Sequence, residues 1–169
     1  AEDLPFTDRD FDLIVSSSTY QWVNSLDRAF REVKRTLTDN GWFIASLFGA
    51  RTLGELRDVF NVATQGNGRH NRFRYQDFVS SGEVKKLLEK LKYEHVSVTH
   101  IIEKENYHGV ADLFKYLKYI GAQNALRSGA SSLQGKKLFK DAFDIYRKKY
   151  SDGDSIYATY EVIFGVGRK

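Results

Sequence analysis

Cysteine is absent from this chain of 169 residues, which excludes a disulfide scaffold, thiolate metal sites and a cysteine nucleophile. Proline occurs once, and no apolar run approaches the roughly 20 residues of a membrane span. The start is acidic and mixed rather than basic then apolar, so no signal peptide is visible. These absences set the expectation of a cytoplasmic protein without a membrane partner. Gly-rich phosphate loops, HExxH and GxSxG are missing too, and "GNG" and "GVG" lack a strand-turn-helix context. What is present is a 41% hydrophobic share with 12 Phe and 10 Tyr, enough for a sizeable core in one domain. Charge is uneven. Residues 1–60 carry 7 Lys/Arg against 10 Asp/Glu, and residues 61–169 carry 19 against 12. A basic C-terminal part suggests an acidic partner, substrate or nucleic acid, against the plainer reading of a lysine-rich solvated surface.

Along the chain, "FDLIVS" (Phe11 to Ser16) reads as a strand buried on both faces of a parallel sheet. Asn24 or Ser25 can cap the next helix, whose Leu26, Phe30, Val33 and Leu37 form one apolar stripe. "TDNG" (38–41) places Gly41 for a left-handed helix end, and "WFIASLFG" from Trp42 is a second strand. Strand, helix and strand make a βαβ unit with a right-handed crossover. Thr52 and Glu55 have the spacing of a capping box, with Leu53, Leu56 and Phe60 on the helix's inner side. "TQGNGRHNRF" (64–73) reads as a loop, residues 81–92 as a helix, and 93–107 as a strand exposed on one side. A short helix at 112–120, a helix carrying Phe139, Phe143, Tyr146 and Tyr150, and a terminal strand with Tyr160, Val162, Phe164 and Val166 complete an α/β order.

His70, His95, His100 and His108 are scattered without metal-ligand spacing and read as structural or surface residues. Two places look chemical. Ser16, Ser17 and Ser18 end the first strand, where ligands sit in open α/β sheets. In "GRHNRFRYQDF" (68–78), Arg69, Arg72 and Arg74 alternate with His70, Asn71, Phe73 and Tyr75. Arginine offers a planar fork for carboxylate or phosphate, and an adjacent ring shields that pair from water. Stacking of nucleic-acid bases is the other use of such a loop.

"AEDLPFTDRDFDLIVSSSTYQWVNSLDRAFREVKRTLTDNGWFIASLFG" resembles the second half of a class I S-adenosylmethionine-dependent methyltransferase. The order "AE-x-LPF", "FDLVxS", "QW", helix, turn carries the likeness, and "TDNG" departs from the usual "xPGG". "TLGELRDVF", "NRF", "LKYIGAQN" and "TYEVIFGVG" narrow it to the biotin-pathway malonyl-acyl-carrier-protein methyltransferase family. Arg69 stands where that family's pattern has a histidine. The mitochondrial arginine hydroxylase family of complex I assembly shares "TLxELR" and the terminal piece but not "NRF", and ranks second with small-molecule methyltransferases. A non-enzymatic module that binds an acidic protein or nucleic acid is the third reading.

The resemblance implies an O-methyltransferase that uses S-adenosylmethionine to esterify the free carboxylate of malonyl-acyl-carrier-protein, with no nucleic acid as partner. It implies no acid or base residue, since a carboxylate is already a nucleophile. Arg72 would hold the malonyl carboxylate, with Asn71 and Phe73 positioning and shielding it. Ala1 and Glu2 would sit by the adenine, and Ser16, Ser17 and Trp22 by the methionine half. A single partial domain is implied over 1–169, a Rossmann-like C-terminal sheet with strands in the order 4-5-7-6. Helical lid insertions are expected at 50–80 and 108–150. From charge alone, Lys136, Lys137, Lys140, Arg147, Lys148 and Lys149 are expected to face the acidic helix of the carrier protein. The family's Gly-rich cofactor loop precedes the "AE" motif, so weak cofactor binding by these 169 residues is expected. The open strand 11–16 is expected to favour self-association.

Overall fold

The computed structural model describes residues 1–65, 77–120 and 133–169, with the side chains of 65 and 133–136 left aside. Two compact units result. The first comprises Ala1–Arg51, Phe78–Ile102 and Glu161–Lys169, and the second Thr52–Asp77 and Glu103–Tyr160. The elements are β1 (Phe11–Ser17), a 3-10 turn at Tyr20–Trp22, α1 (Leu26–Thr36), β2 (Leu37–Phe48) and α2 (Gly54–Gln65). There follow α3 (Ser81–Lys90), β3 (Glu94–Tyr107), α4 (Val110–Tyr119), α5 (Leu133–Lys149), β4 (Ser151–Asp152) and β5 (Ser155–Arg168). The sheet order is β1-β2-β5-β3, the 4-5-7-6 arrangement expected from sequence.

In the first unit β1 runs parallel to β2, with Ile14 opposite Phe43 and Ser17 opposite Ser46. β2 pairs antiparallel with β5, Ile44 opposite Val166 and Ser46 opposite Phe164. Helices α1 and α3 cover one face of this sheet. Ala29, Phe30 and Val33 from α1 and Val84 and Leu88 from α3 are buried with Phe43, Ala45, Leu47 and Ile163 of the strands. The rings of Tyr20, Phe30 and Phe43 meet edge to face at 5.0–5.7 Å, a geometry that adds about 0.5–1.5 kcal/mol per pair to area burial. The Tyr93 hydroxyl donates to the Phe30 carbonyl at 3.0 Å. A Cβ on Gly167 would lie 3.1 Å from the Tyr93 ring, so a side chain there would push against α3's exit.

The opposite face is bare. Successive strand residues point to opposite sides, and Leu13, Val15, Trp42, Ile44 and Phe164 are 39–64% exposed. The expectation that β1 is buried on both faces is therefore corrected, because both flanking helices pack on the same side. The terminal strand shows the same division. Val162, Phe164 and Val166 take the phase opposite to buried Ile163, Gly165 and Gly167.

Two further local expectations change. Asn40, at φ +72°, takes the left-handed conformation assigned to Gly41, since asparagine tolerates it. Gly41 is instead pressed against the backbone, its site for a Cβ 3.0 Å from the Thr38 carbonyl oxygen. Both oxygens of Glu55 accept from Thr159, its backbone N–H at 3.1 Å and its hydroxyl, so Glu55 joins α2 to β5 within the second unit. A capping box is formed by Ser80 with Glu83 at the start of α3.

The N-terminal loop is strapped to α1. Arg35 donates to the carbonyls of Leu4 (3.1 Å) and Phe6 (2.9 Å) and pairs with Asp8 and Glu32. Glu32 in turn accepts from the Leu4 N–H at 3.0 Å. The second unit packs α2 with α4 and α5 around Leu56, Phe60, Leu113, Leu117, Ala142 and Tyr146, all nearly free of solvent. Tyr146 donates to the Tyr157 carbonyl at 3.0 Å, and Lys149 and Tyr150 both donate to Asp58 at 2.7 Å.

Two outcomes follow from this packing. Phe30→Ala removes a fully buried ring from a buried aromatic trio and is expected to cost about 3–5 kcal/mol in a denaturant titration. Glu32 is held at about 2, below its ordinary 4.5, first by the hydrogen bond from Arg35 and then by that from Leu4. A depressed carboxyl pKa contributes stability above 4.5 that is lost as pH falls toward 2. The intrinsic-rate-corrected exchange protection of the Leu4 amide should therefore fall across that window, and Glu32→Gln should abolish the dependence.

Candidate functional site

Because β1 and β2 are parallel, their carboxyl ends meet at one end of the sheet, the place where ligands bind open α/β folds. Ser17 and Ser46 stand opposite each other there, their hydroxyls 3.3 Å apart. The chain then leaves β1 sharply. Ser18 adopts φ +52° while its N–H still donates to the Ser46 carbonyl at 2.9 Å. A left-handed non-glycine residue costs of order 1 kcal/mol and persists where its surroundings fix it. Here Gln21 fixes it, donating from Nε2 to the Ser18 carbonyl at 2.7 Å, and the Thr19 hydroxyl donates to Ser17 at 3.2 Å. The turn anchors Tyr20 in the core, where burial pushes its hydroxyl up to about 12, and leaves Trp22 40% exposed.

Glu2 comes to the same neighbourhood. Its carboxylate accepts from the backbone N–H groups of Asn24 and of Ser25 (2.9 Å), just before α1. These hydrogen bonds, Ser25's first, hold its pKa below the usual carboxylate range, as expected for an anion at a helix N-terminus. Of the residues expected from sequence, the fold thus gathers Glu2, the 17–18 hydroxyls and the Tyr20–Trp22 turn along one path of backbone. Ser16 is half-buried opposite Ala45, and Ala1 is exposed. Asn71, Arg72 and Phe73 lie outside the described residues, as does the Lys136 side chain.

One group at this end of the sheet escaped the sequence reading. Glu161 on β5 is only 4% exposed. Its side-chain oxygen accepts from the Arg51 N–H at 2.9 Å, while its backbone carbonyl accepts from Gly49 at 2.8 Å. It thereby clamps the exit of β2. Its one signal in the sequence is an acid inside the apolar run "TYEVIFGVG". Gly49 is the residue this clamp requires, because a Cβ there would lie 2.5 Å from the Glu161 carboxyl group. Among the described residues no group of three or more His, Asp or Glu is placed to hold a metal ion. No described helix is long and apolar enough to cross a membrane.

Comparison with known proteins fits this architecture. Residues 1–45 match the family model described as a methyltransferase domain. A solved structure from Bacillus halodurans, titled as a candidate methyltransferase, superposes with a TM-score of 0.55 at 16% identity, covering 99% of this chain and 74% of that one. The fold is therefore that of the class I methyltransferases. Within that class the chain is similar to the malonyl-[acyl-carrier protein] O-methyltransferase of Geobacter sulfurreducens, 37% identical over 169 residues, which are 100% of this chain and 63% of that protein. It is also similar to the mitochondrial arginine-hydroxylase NDUFAF5 of Rattus norvegicus, 32% identical over 170 aligned residues, 99% of this chain and 49% of that protein. The chain thus spans about half to two thirds of the length of these relatives.

Gly49→Ala tests the clamp. Inserting a methyl group into occupied space is expected to cost about 1–3 kcal/mol, read from the thermal or denaturant midpoint. Combining it with Glu161→Ala should relieve the clash, so the double variant should lose less than the sum of the single losses.

Proposed function

We propose that the protein transfers the methyl group of S-adenosylmethionine to the free carboxylate of a malonyl thioester carried by acyl carrier protein, a step of biotin synthesis, in the cytoplasm. The observation that carries this reading is the similarity, over the whole of this chain and 63% of the relative, to an enzyme named for that reaction. The end of the β1–β2 pair supports it. In this reading Ala1 and Glu2 border the adenine, and Ser16, Ser17 and Trp22 border the methionine half. The lid is assigned to segments 50–80 and 108–150, of which residues 66–76 and 121–132 lie outside the described residues. The reaction asks little of acid–base chemistry. A carboxylate oxygen attacks the sulfonium methyl in line, a C–O bond forms as the C–S bond breaks, and the thioether leaves neutral. What the protein must supply is alignment and exclusion of water. Arg72 is assigned to the malonyl carboxylate, with Asn71 and Phe73 beside it.

Binding of the cofactor draws on more than these 169 residues, since the relatives are longer. In this reading the open edge of β1, residues 11–16, is a surface through which the chain self-associates. An arginine hydroxylase is the second reading, favoured by the similarity to NDUFAF5 over 99% of the chain.

Arg72→Ala, made in the enzyme as expressed from its gene, is expected to abolish methylation of malonyl-carrier protein. Calorimetry should show S-adenosylmethionine binding unchanged. A near-normal turnover in that variant would remove Arg72 from the site.

A further inference from the structure

In the second unit, α4 and α5 enclose an open groove of about 700 Å³. Its floor is apolar, made by Val110 and Ala111 at the start of α4 and by Phe139 and Phe143 of α5. Those two rings also contact Phe114, at 5.8 and 5.3 Å, so the floor is braced from α4. Its rim is charged. Lys140, Asp144 and Arg147 line it from α5, and all three are exposed. Lys140 and Arg147 are seven residues apart, two helical turns or roughly 10 Å along the axis.

The state of the neighbouring cations separates this rim from an ordinary lysine-rich surface. Lys149 is bound by Asp58 at 2.7 Å and Lys115 by Asp112 at 3.0 Å. Lys137, Lys140, Arg147 and Lys148 form no ion pair among the described residues. Four unspent cations therefore lie along one exposed helix beside an aromatic lane. An apolar lane flanked by cations two turns apart matches an amphipathic helix that carries carboxylates along the edges of its apolar stripe. Two cations against the single carboxylate of Asp144 leave the rim net positive, which favours an acidic partner over a basic one.

We infer that the α4–α5 groove is the docking surface for an acidic amphipathic helix of the acyl carrier protein, with Lys140 and Arg147 as its charged contacts and Phe139 and Phe143 as its apolar floor. This assignment of the partner rests on the reading under Proposed function. It narrows the six cations expected from sequence: Lys149 is already engaged with Asp58, and the groove singles out two of the others.

The test is a titration of fluorescently labelled malonyl-carrier protein with the enzyme as expressed from its gene, in wild type, K140E/R147E and a control, K85E/K86E. The control changes net charge equally on α3, where both lysines are exposed. Thermal melts of all three establish that they are folded. K140E/R147E is expected to raise the dissociation constant about tenfold or more, with the control near wild type, and added salt should weaken only the wild-type and control complexes. Equal affinities for all three would overturn the docking surface, as would equal weakening by both reversals or no binding by wild type. Conversion of a wild-type dimer to monomer by K140E/R147E at unchanged carrier affinity would give the groove to a second copy and likewise overturn the proposal. Methyl transfer by wild type is measured separately, so selective loss of binding without any methylation would keep the groove and discard the reaction.

Discussion

The packing of α1 and α3 on a single face of the β1-β2-β5-β3 sheet is the constraint on which the rest of the first unit depends. Phe30 and Phe43, with Tyr20 against both, wedge α1 onto the parallel pair. That wedge brings the end of β1 and the exit of β2 to one place. Ser18 can then hold a left-handed backbone because Ser46 and Gln21 take its polar groups. Gly49 can pass the buried carboxyl of Glu161 because it has no side chain. On the other face, Leu13, Val15, Trp42 and Ile44 form two cross-strand apolar pairs open to water.

The βαβ core was legible because its signals are local. "FDLIVS" and "WFIASLFG" are β-rich runs, and Leu26, Phe30 and Val33 repeat at helical spacing. Strand order was legible through the family resemblance rather than through periodicity, which does not say which strands pair. Which face of β1 and β5 is covered could not be read. An apolar residue facing water and one facing a helix look the same in sequence, as Phe164 and Ile163 show. Turn chemistry failed at Asn40 and Gly41, where φ fell to the asparagine and close approach to the glycine. Glu55 and Glu161 failed for another reason. Their partners, Thr159 and Arg51, are more than a hundred residues away in the chain.

The described part of the candidate site offers hydroxyls, backbone groups, an indole and a capped helix start, and a methyl transfer to a carboxylate fits that inventory. The nucleophile arrives already charged, and the barrier lies in stripping its water and aligning it with the sulfonium. On the proposed reading the second unit contributes recognition: its basic α5, beside an aromatic groove, would suit a large acidic acceptor, whereas a small free acid would need no such surface.

The most direct measurement is the mass of malonyl-acyl carrier protein after incubation with S-adenosylmethionine and the enzyme as expressed from its gene. A mass gain of one methylene, located on the malonyl group and removed by ester hydrolysis, is the predicted result. An unmodified carrier protein, with the same preparation adding oxygen to an arginine of a protein substrate, would contradict it.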